Sequence, residues 1–198
     1  MIQVPPLAVP DPKAQAILAA AFDAFRHYGF RRTTMEDIAR GAGMSRAALY
    51  LHYANKEAIF RALIRAYFET AQAGVRQALS RELPIAEALA QAFAAQAGEM
   101  FEALLSSPHG AELLDAKTTA AADLVAEGDA RIVELYAGWL AREVAAGRLR
   151  PEGIGEPLPL AETMMAALYG LKATSGDWQD YAASARRLAD LFARGLSA

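Results

Sequence analysis

The 198-residue sequence contains no cysteine. This absence excludes disulfide bonds, thiolate metal sites and a cysteine nucleophile. No apolar run approaches the roughly 20 residues that a membrane-spanning helix needs, so no contact with a membrane is expected. The first twelve residues carry no positive charge and no long apolar segment, which argues against a secretory signal. We therefore expect a cytoplasmic protein.

An excess of positive charge is also lacking, because 20 Lys and Arg stand against 23 Asp and Glu and the formal net charge is −3. The charges are unevenly distributed, because residues 11–60 carry seven Lys and Arg against five Asp and Glu, whereas residues 61–198 carry thirteen against eighteen. The overall charge alone argues against a nucleic-acid partner. The mildly basic N-terminal part, however, is the place where an anionic partner would bind.

Alternation of apolar and polar residues with a period of two, which is typical of strands, is missing as well. The hydrophobic fraction of 54% is rich in alanine, the best helix former. Four prolines among the first twelve residues predict an extended, disordered arm. We expect an all-α protein of about nine helices that pack as bundles. Apolar spacing, caps and breaks place these helices at residues 13–28, 34–41, 45–52, 55–79, 84–105, 111–116, 118–146, 158–174 and 178–195.

The strongest motif lies at residues 33–63, with the sequence TTMEDIARGAGMSRAALYLHYANKEAIFRAL. Two short predicted helices are joined by a turn that contains glycine, which is the arrangement of a helix-turn-helix. Ile38 and Ala39 face inward from the first helix, and Leu49 fills the angle between the two helices. Gly43 allows the left-handed backbone that the turn needs. The second helix carries an arginine near its N-terminus, and such a helix fits the major groove of DNA.

The motif resembles the DNA-binding segment of TetR-family transcriptional regulators. Residues 38–43 match the family's Ile-Ala-x-x-Ala-Gly, and residues 49–56 match its Leu-Tyr-x-His/Tyr-Phe-x-x-Lys, with Tyr53 where the family usually has Phe. With the preceding helix, about residues 14–63 take part. After the proline-rich arm over 1–12, the resemblance implies a three-helix helix-turn-helix domain over 13–55 and a larger helical domain over 56–198 for ligand binding and dimerisation.

The resemblance also implies which side chains contact the DNA backbone. Thr34, Tyr50 and Lys56 correspond to phosphate contacts, and His52 is similarly placed near the backbone. Thr34 is also expected to cap the helix that follows it, because a threonine hydroxyl accepts from the free amides of a first turn.

The resemblance further implies that bases are contacted by the first residues of the recognition helix, which are Ser45, Arg46, Ala47 and Ala48. Arg46 is the only long hydrogen-bond donor among them, and arginine pairs well with the O6 and N7 atoms of guanine. Ala48 fits against a thymine methyl group.

Beyond residue 63, the resemblance implies a ligand cavity and two C-terminal helices that pair with a second subunit. Aromatic and apolar side chains adapt to hydrophobic ligands. Ordinary core packing is the alternative, and it is the commoner role for any single residue. The candidate cavity residues are Phe93, Met100, Phe101, Leu104, Leu105, Tyr136, Trp139, Met165 and Tyr169. The candidate interface residues, on broad apolar faces of the last two helices, are Leu160, Met164, Leu168, Leu171, Tyr181, Leu188, Leu191 and Phe192.

These observations predict a ligand-released repressor that binds double-stranded operator DNA as a homodimer in the cytoplasm, associated with the nucleoid. Its ligand would be a small hydrophobic or amphipathic molecule. No metal and no cofactor are expected. An enzyme is not expected either, because Glu-x-x-His pairs and a glycine-rich phosphate loop are missing from the sequence. Two alternatives remain open, namely an activator with the same fold and a helical adaptor that has lost DNA binding.

Overall fold

The computed structural model describes residues 11–150 and 155–196. Within these residues the chain forms nine α-helices and no β-strand, so the predicted all-α class is confirmed. None of the described helices combines the length and the apolar character that a membrane crossing requires. The helices are α1 (Pro12–Tyr28), α2 (Met35–Gly41), α3 (Arg46–His52), α4 (Lys56–Ser80), α5 (Ile85–Leu105), α6 (Gly110–Ala120), α7 (Ala122–Ala145), α8 (Pro157–Thr174) and α9 (Trp178–Leu196).

Helix α1 begins one residue earlier than its apolar pattern predicts. The carboxylate of Asp11 accepts a hydrogen bond from the amide of Lys13 at 3.0 Å, and Pro12 occupies the first turn. Proline costs no hydrogen bond there, because the first amides of a helix have no partner within it. The predicted arm over residues 1–12 therefore does not include Pro12, and residues 1–10 lie outside the described residues.

The middle of the chain departs further from the predicted pattern. Helix α6 extends to Ala120 instead of residue 116, and the break falls at Ala121, whose φ is −141°. The segment around this break contains neither glycine nor proline, so the sequence carries no signal for it. Helix α5 is kinked at Gly98, where φ is 68° and ψ is 169°. A residue with a side chain would be strained in that conformation.

The described residues divide into two compact units. The first comprises the described part of Met1–Thr70 together with Glu99–Gly128, and the second comprises Ala71–Gly98 and the described part of Asp129–Ala198. Neither unit is continuous in sequence, because α4, α5 and α7 each contribute to both. The predicted boundary after residue 55 does not coincide with this division, and the limits of the functional domains stay a prediction.

The core of the first unit fixes α2 and α3 against α1. Ile38 of α2 and Leu49 of α3 are fully buried. The rings of Phe25, Phe30 and Phe60 form a cluster with centroid separations of 4.9–5.9 Å. Aromatic contacts at these separations add to the free energy of simple burial. The short helices are therefore held on a rigid base.

The core of the second unit contains a hydrogen-bonded polar group. Gln96 is buried, its Oε1 accepts from the hydroxyl of Tyr136 at 2.9 Å, and its Nε2 donates to Sδ of Met165 at 3.0 Å. The ring of Phe93 lies edge-on to Tyr136, 5.9 Å between centroids. Burial raises the pKa of Tyr136 well above its ordinary value. Gln96 could not be recognised as buried from the sequence, because a glutamine in an alanine-rich helix gives no sign of its burial.

Candidate nucleic-acid interface

The turn between α2 and α3 ends α2 in a Schellman arrangement. The amide of Met44 donates to the carbonyl of Ala39 at 3.0 Å, and the amide of Gly43 donates to that of Arg40 at 3.2 Å. Gly43 has a φ of 67°, which confirms the predicted left-handed backbone. Glycine at this position avoids the steric cost that a Cβ atom would bring. The turn is thus specified by its own sequence.

Thr34 and Asp37 form a capping box at the start of α2. The hydroxyl of Thr34 accepts from the amide of Asp37 at 3.2 Å, and the carboxylate of Asp37 accepts from the amide of Thr34 at 3.0 Å. The hydrogen bonds from Thr34, supported by Arg40, hold the pKa of Asp37 below its ordinary value. The predicted capping role of Thr34 is therefore present, and its exposed position leaves the implied phosphate contact as a prediction.

Helix α3 presents a charged and aromatic outer surface. Ser45 caps it by accepting from the amide of Ala48 at 3.1 Å. The guanidinium of Arg46 lies 5.5 Å from the ring centroid of Tyr50 and donates to its hydroxyl at 3.3 Å. Both side chains are exposed, whereas Leu49 between them is buried. The structure thus places the predicted base-contacting arginine and the predicted phosphate-contacting tyrosine side by side.

The remaining residues of α3 show one feature that the sequence analysis missed. Ala47 and His52 are exposed and Ala48 is half-buried, so all three lie at or near the outer surface. Leu51 is 87% exposed, more than any other large hydrophobic side chain among the described residues. It lies four residues after Ala47 and therefore on the same helix face. Apolar character at an outward position of the recognition helix was the signal that could have identified it.

Lys56 makes contacts within the chain that differ from the role implied for it. Its ammonium donates to the carbonyls of Phe30, Arg31 and Thr33 at 2.8, 3.0 and 3.0 Å, and it lies 5.0 Å from the ring centroid of Phe30. A lysine ammonium has three protons, and all three are used here. Lys56 therefore fixes the loop before α2, and a phosphate contact would require another side-chain conformation.

The same loop is held from its other side by α6. The carboxylate of Glu112 accepts from the amide of Arg31 at 3.0 Å and lies against Gly29. His109 places its Nδ1 3.4 Å from the same carboxylate, and Ser107 donates to the carbonyl of Arg26 at 2.6 Å. The loop over residues 29–33 is thus bound through its main chain by side chains of α4 and α6.

Comparison with known proteins identifies this arrangement. The family model described as bacterial regulatory proteins, tetR family, matches residues 17–63, which contain α2, α3 and most of α1. The transcriptional regulator RutR of Escherichia coli is 43% identical over 53 residues, 27% of this chain and 25% of RutR. Residues 17–63 of the chain therefore form a helix-turn-helix segment of the TetR-family type.

The TetR-family likeness extends to the whole fold. The TetR transcriptional regulator SCO0520 of Streptomyces coelicolor is 29% identical, with a TM-score of 0.62 over 93% of this chain and 98% of that one. The transcriptional activator FasR of Mycolicibacterium smegmatis is 33% identical over 69 residues, 35% of this chain and 32% of FasR. The sequence matches to the curated relatives thus span about a quarter to a third of their length. These relatives are named as regulators, and the part of this chain that matches the family model contains the helix-turn-helix.

Three of the predicted interface residues on the last two helices are corrected by the structure. Met164, Leu168 and Tyr181 are at most 1% exposed within the single chain. They pack inside the chain and have no surface left for a second subunit. The apolar faces of α8 and α9 are wide because each serves the core of the chain itself.

The other interface candidates retain exposed surface. Leu191 is 66% exposed, and the remaining candidates Leu160, Leu171, Leu188 and Phe192 are half-buried. Leu158, which the sequence analysis did not name, is 50% exposed. An exposed leucine at the N-terminal end of α8 is hard to distinguish by sequence from a buried one.

The predicted cavity residues are divided between the two units. Phe93, Tyr136, Trp139 and Met165 are buried in the second unit, and Tyr169 there is 37% exposed, with its hydroxyl donating to the carboxylate of Asp129 at 2.5 Å. Met100 and Phe101 are buried in the first unit, and Leu104 and Leu105 are half-buried there. A ligand-binding role for these nine residues stays a prediction.

Proposed function

We propose that this TetR-family chain binds a palindromic operator as a homodimer and places one copy of α3 in the major groove at each half-site. The observation that carries the proposal is the outer surface of α3, where Arg46 and Tyr50 are exposed on a helix whose inner residue Leu49 is fully buried. A rigidly supported short helix with an arginine at its N-terminal end has the form of a recognition helix.

Homodimer formation is supported by exposed apolar side chains on the last two helices. Leu158 and Tyr169 are separated by eleven residues, about three helical turns, and therefore lie on one face of α8. Leu191 adds an exposed leucine on α9. Two recognition helices about 34 Å apart can read successive major grooves, whereas a single short helix reads few base pairs.

Release by a small hydrophobic or amphipathic ligand is the regulatory part of the proposal. A ligand weakens DNA binding only if it prefers a conformation that binds DNA poorly. Helix α4 supports such coupling, because its first residue Lys56 holds the loop before α2 while its last ten residues belong to the second unit. A tilt of α4 would then move the loop before α2 and change the position of the recognition helix α3.

The direction of regulation has two candidates. A repressor follows if the bound dimer excludes RNA polymerase from a promoter. An activator is the second candidate, favoured by the likeness to FasR, which is named an activator. A reporter gene placed behind the selected operator distinguishes them, because deletion of the regulator raises expression in one case and lowers it in the other.

Selection of bound sequences from random double-stranded DNA tests the proposal. We expect a palindromic consensus, recovered as a complex of two chains per duplex. Affinity should fall steeply between low and moderate salt, because phosphate contacts release counterions. If no sequence is preferred even in dilute salt, DNA recognition by α3 is wrong and an adaptor role becomes the better account. Recovery of a preferred DNA sequence in this selection would also support the predicted association of the protein with the nucleoid.

A further inference from the structure

A surface cleft in the second unit is lined by four arginines. It has a volume of about 480 Å³ and lies between the last turns of α4, the connection to α5, and the last turns of α7 with the residues that follow. This volume is within the range of roughly 300–1,000 Å³ found for small-molecule sites. The lining residues are Arg76, Leu79, Ser80, Arg81, Glu82, Leu135, Arg142, Glu143 and Arg148.

One of the four arginines is neutralised within the cleft. Arg148 donates from Nε and Nη2 to the two carboxylate oxygens of Glu143 at 2.5 and 2.8 Å. Glu143 is buried, so this bidentate pair is a fixed part of the wall. The charges of Arg148 and Glu143 cancel, so this pair does not contribute to the net charge of the cleft.

The other three arginines have no carboxylate bound to them among the described residues. Arg142 donates to the carbonyl of Leu79 at 3.3 Å, and Arg81 donates to the amide oxygen of Gln91 at 2.9 Å. Arg76 has neither a hydrogen bond nor an ion pair with the part of the chain that the structure describes. Glu82 is the remaining acid in the lining, and Glu87 outside the lining interacts electrostatically with Arg81, so three guanidinium groups are balanced by two carboxylates.

The carbonyl groups at the C-terminal end of α7 do not need hydrogen bonds from these arginines. The amide of Ala146 donates to the carbonyl of Arg142 at 2.9 Å, and the amide of Arg148 donates to that of Glu143 at 2.9 Å. The carbonyls at this helix end are therefore bonded by the main chain itself. Arg142 and Arg81 bond only uncharged oxygens, and Arg76 bonds none among the described residues, so the excess positive charge of the cleft is available for a ligand.

We propose that this cleft binds a small polyanion, a molecule with at least two carboxylate or phosphate groups. A guanidinium presents a planar set of donors that matches both groups, and several together discriminate against monovalent anions. Arg76 and Arg142 bind the anion, while the Arg148–Glu143 pair shapes the wall. The site is distinct in chemistry from a cavity for hydrophobic ligands, and it does not depend on DNA binding.

Thermal unfolding of the full chain with added polyanions tests the proposal. Citrate and inorganic pyrophosphate are the two probes, and sodium acetate and sodium chloride at equal ionic strength are the references. At a hundred times its Kd, a bound probe should raise the melting temperature by roughly 5–10 °C over the references. Equal melting temperatures in all four solutions would overturn the proposal.

Substitutions assign the effect to the cleft. Arg76→Gln should weaken binding of the effective probe at least about tenfold, because it removes a charge-assisted contact without disturbing any bond within the described chain. Arg187→Gln is the matched control, since Arg187 is an exposed arginine of the same unit outside the cleft. Isothermal titration measures both variants. An equal loss of affinity in both, or none in Arg76→Gln, contradicts the site.

Discussion

Replacing Lys56 by methionine would reveal whether this residue holds the loop before α2 or contacts phosphate. The substitution keeps the apolar stem over Phe30 and removes the ammonium that bonds three carbonyls at 2.8–3.0 Å. Hydrogen bonds to a charged group contribute about 1.5–3 kcal/mol each. Lys56 is half-buried, so water can replace part of that contribution. We expect a total loss of about 2–4 kcal/mol, which lowers the melting temperature by roughly 5–15 °C.

Chemical and thermal unfolding measure this loss, and Lys13→Met is the matched control. Lys13 is an exposed lysine of α1, and its replacement should change stability by less than about 0.5 kcal/mol. The salt dependence of operator binding gives a second measurement. If Lys56→Met unfolds like the wild type and lowers the salt slope by about one charge, Lys56 contacts phosphate and does not hold the loop.

Three further substitutions test other parts of the structure. Arg46→Ala should cost about 1–3 kcal/mol at one base pair per half-site in competition binding, and an equal loss on random DNA would contradict a base contact. Burial lowers the pKa of Lys172 from 10.5 to about 8, an effect that Asp129 partly offsets. The unfolded chain therefore keeps this proton to higher pH, and the free energy of unfolding of the wild type should rise between pH 8 and 10.5 relative to Lys172→Met. Urea titrations at both pH values measure this difference, and parallel profiles would refute it. Gly128→Ala puts a methyl group into the ring of Phe68 and should destabilise the first unit by about 1–3 kcal/mol in thermal unfolding; an unchanged melting temperature would show that the ring moves freely.

The helix-turn-helix could be predicted from the sequence because its signals are local. Thr34 and Asp37 form a capping box across three residues, and the amides of Gly43 and Met44 end α2 through bonds to carbonyls three and five positions back. Interactions of this range leave a direct trace in residue spacing. The buried positions Ile38 and Leu49 followed from the same spacing.

Contacts between distant residues could not be predicted in this way. Glu112 bonds a residue 81 positions away, and Lys56 bonds one 26 positions away. Neither partner is encoded near the other, so Lys56 was assigned a phosphate contact from the resemblance alone. On α8 and α9, apolar spacing identified faces but not what covers them, and it grouped the buried Met164 with the exposed Leu191.

The hydrogen bonds that Lys56 and Glu112 make with the loop before α2 involve only main-chain atoms of that loop. The side chains of Arg31 and Arg32 point outward and take no part in it. A designer could therefore change the charge at these two positions to adjust general attraction to DNA, while the entry to α2 keeps its shape. The sequence selectivity of α3 and the general electrostatic attraction of the helix-turn-helix to DNA could then be adjusted separately.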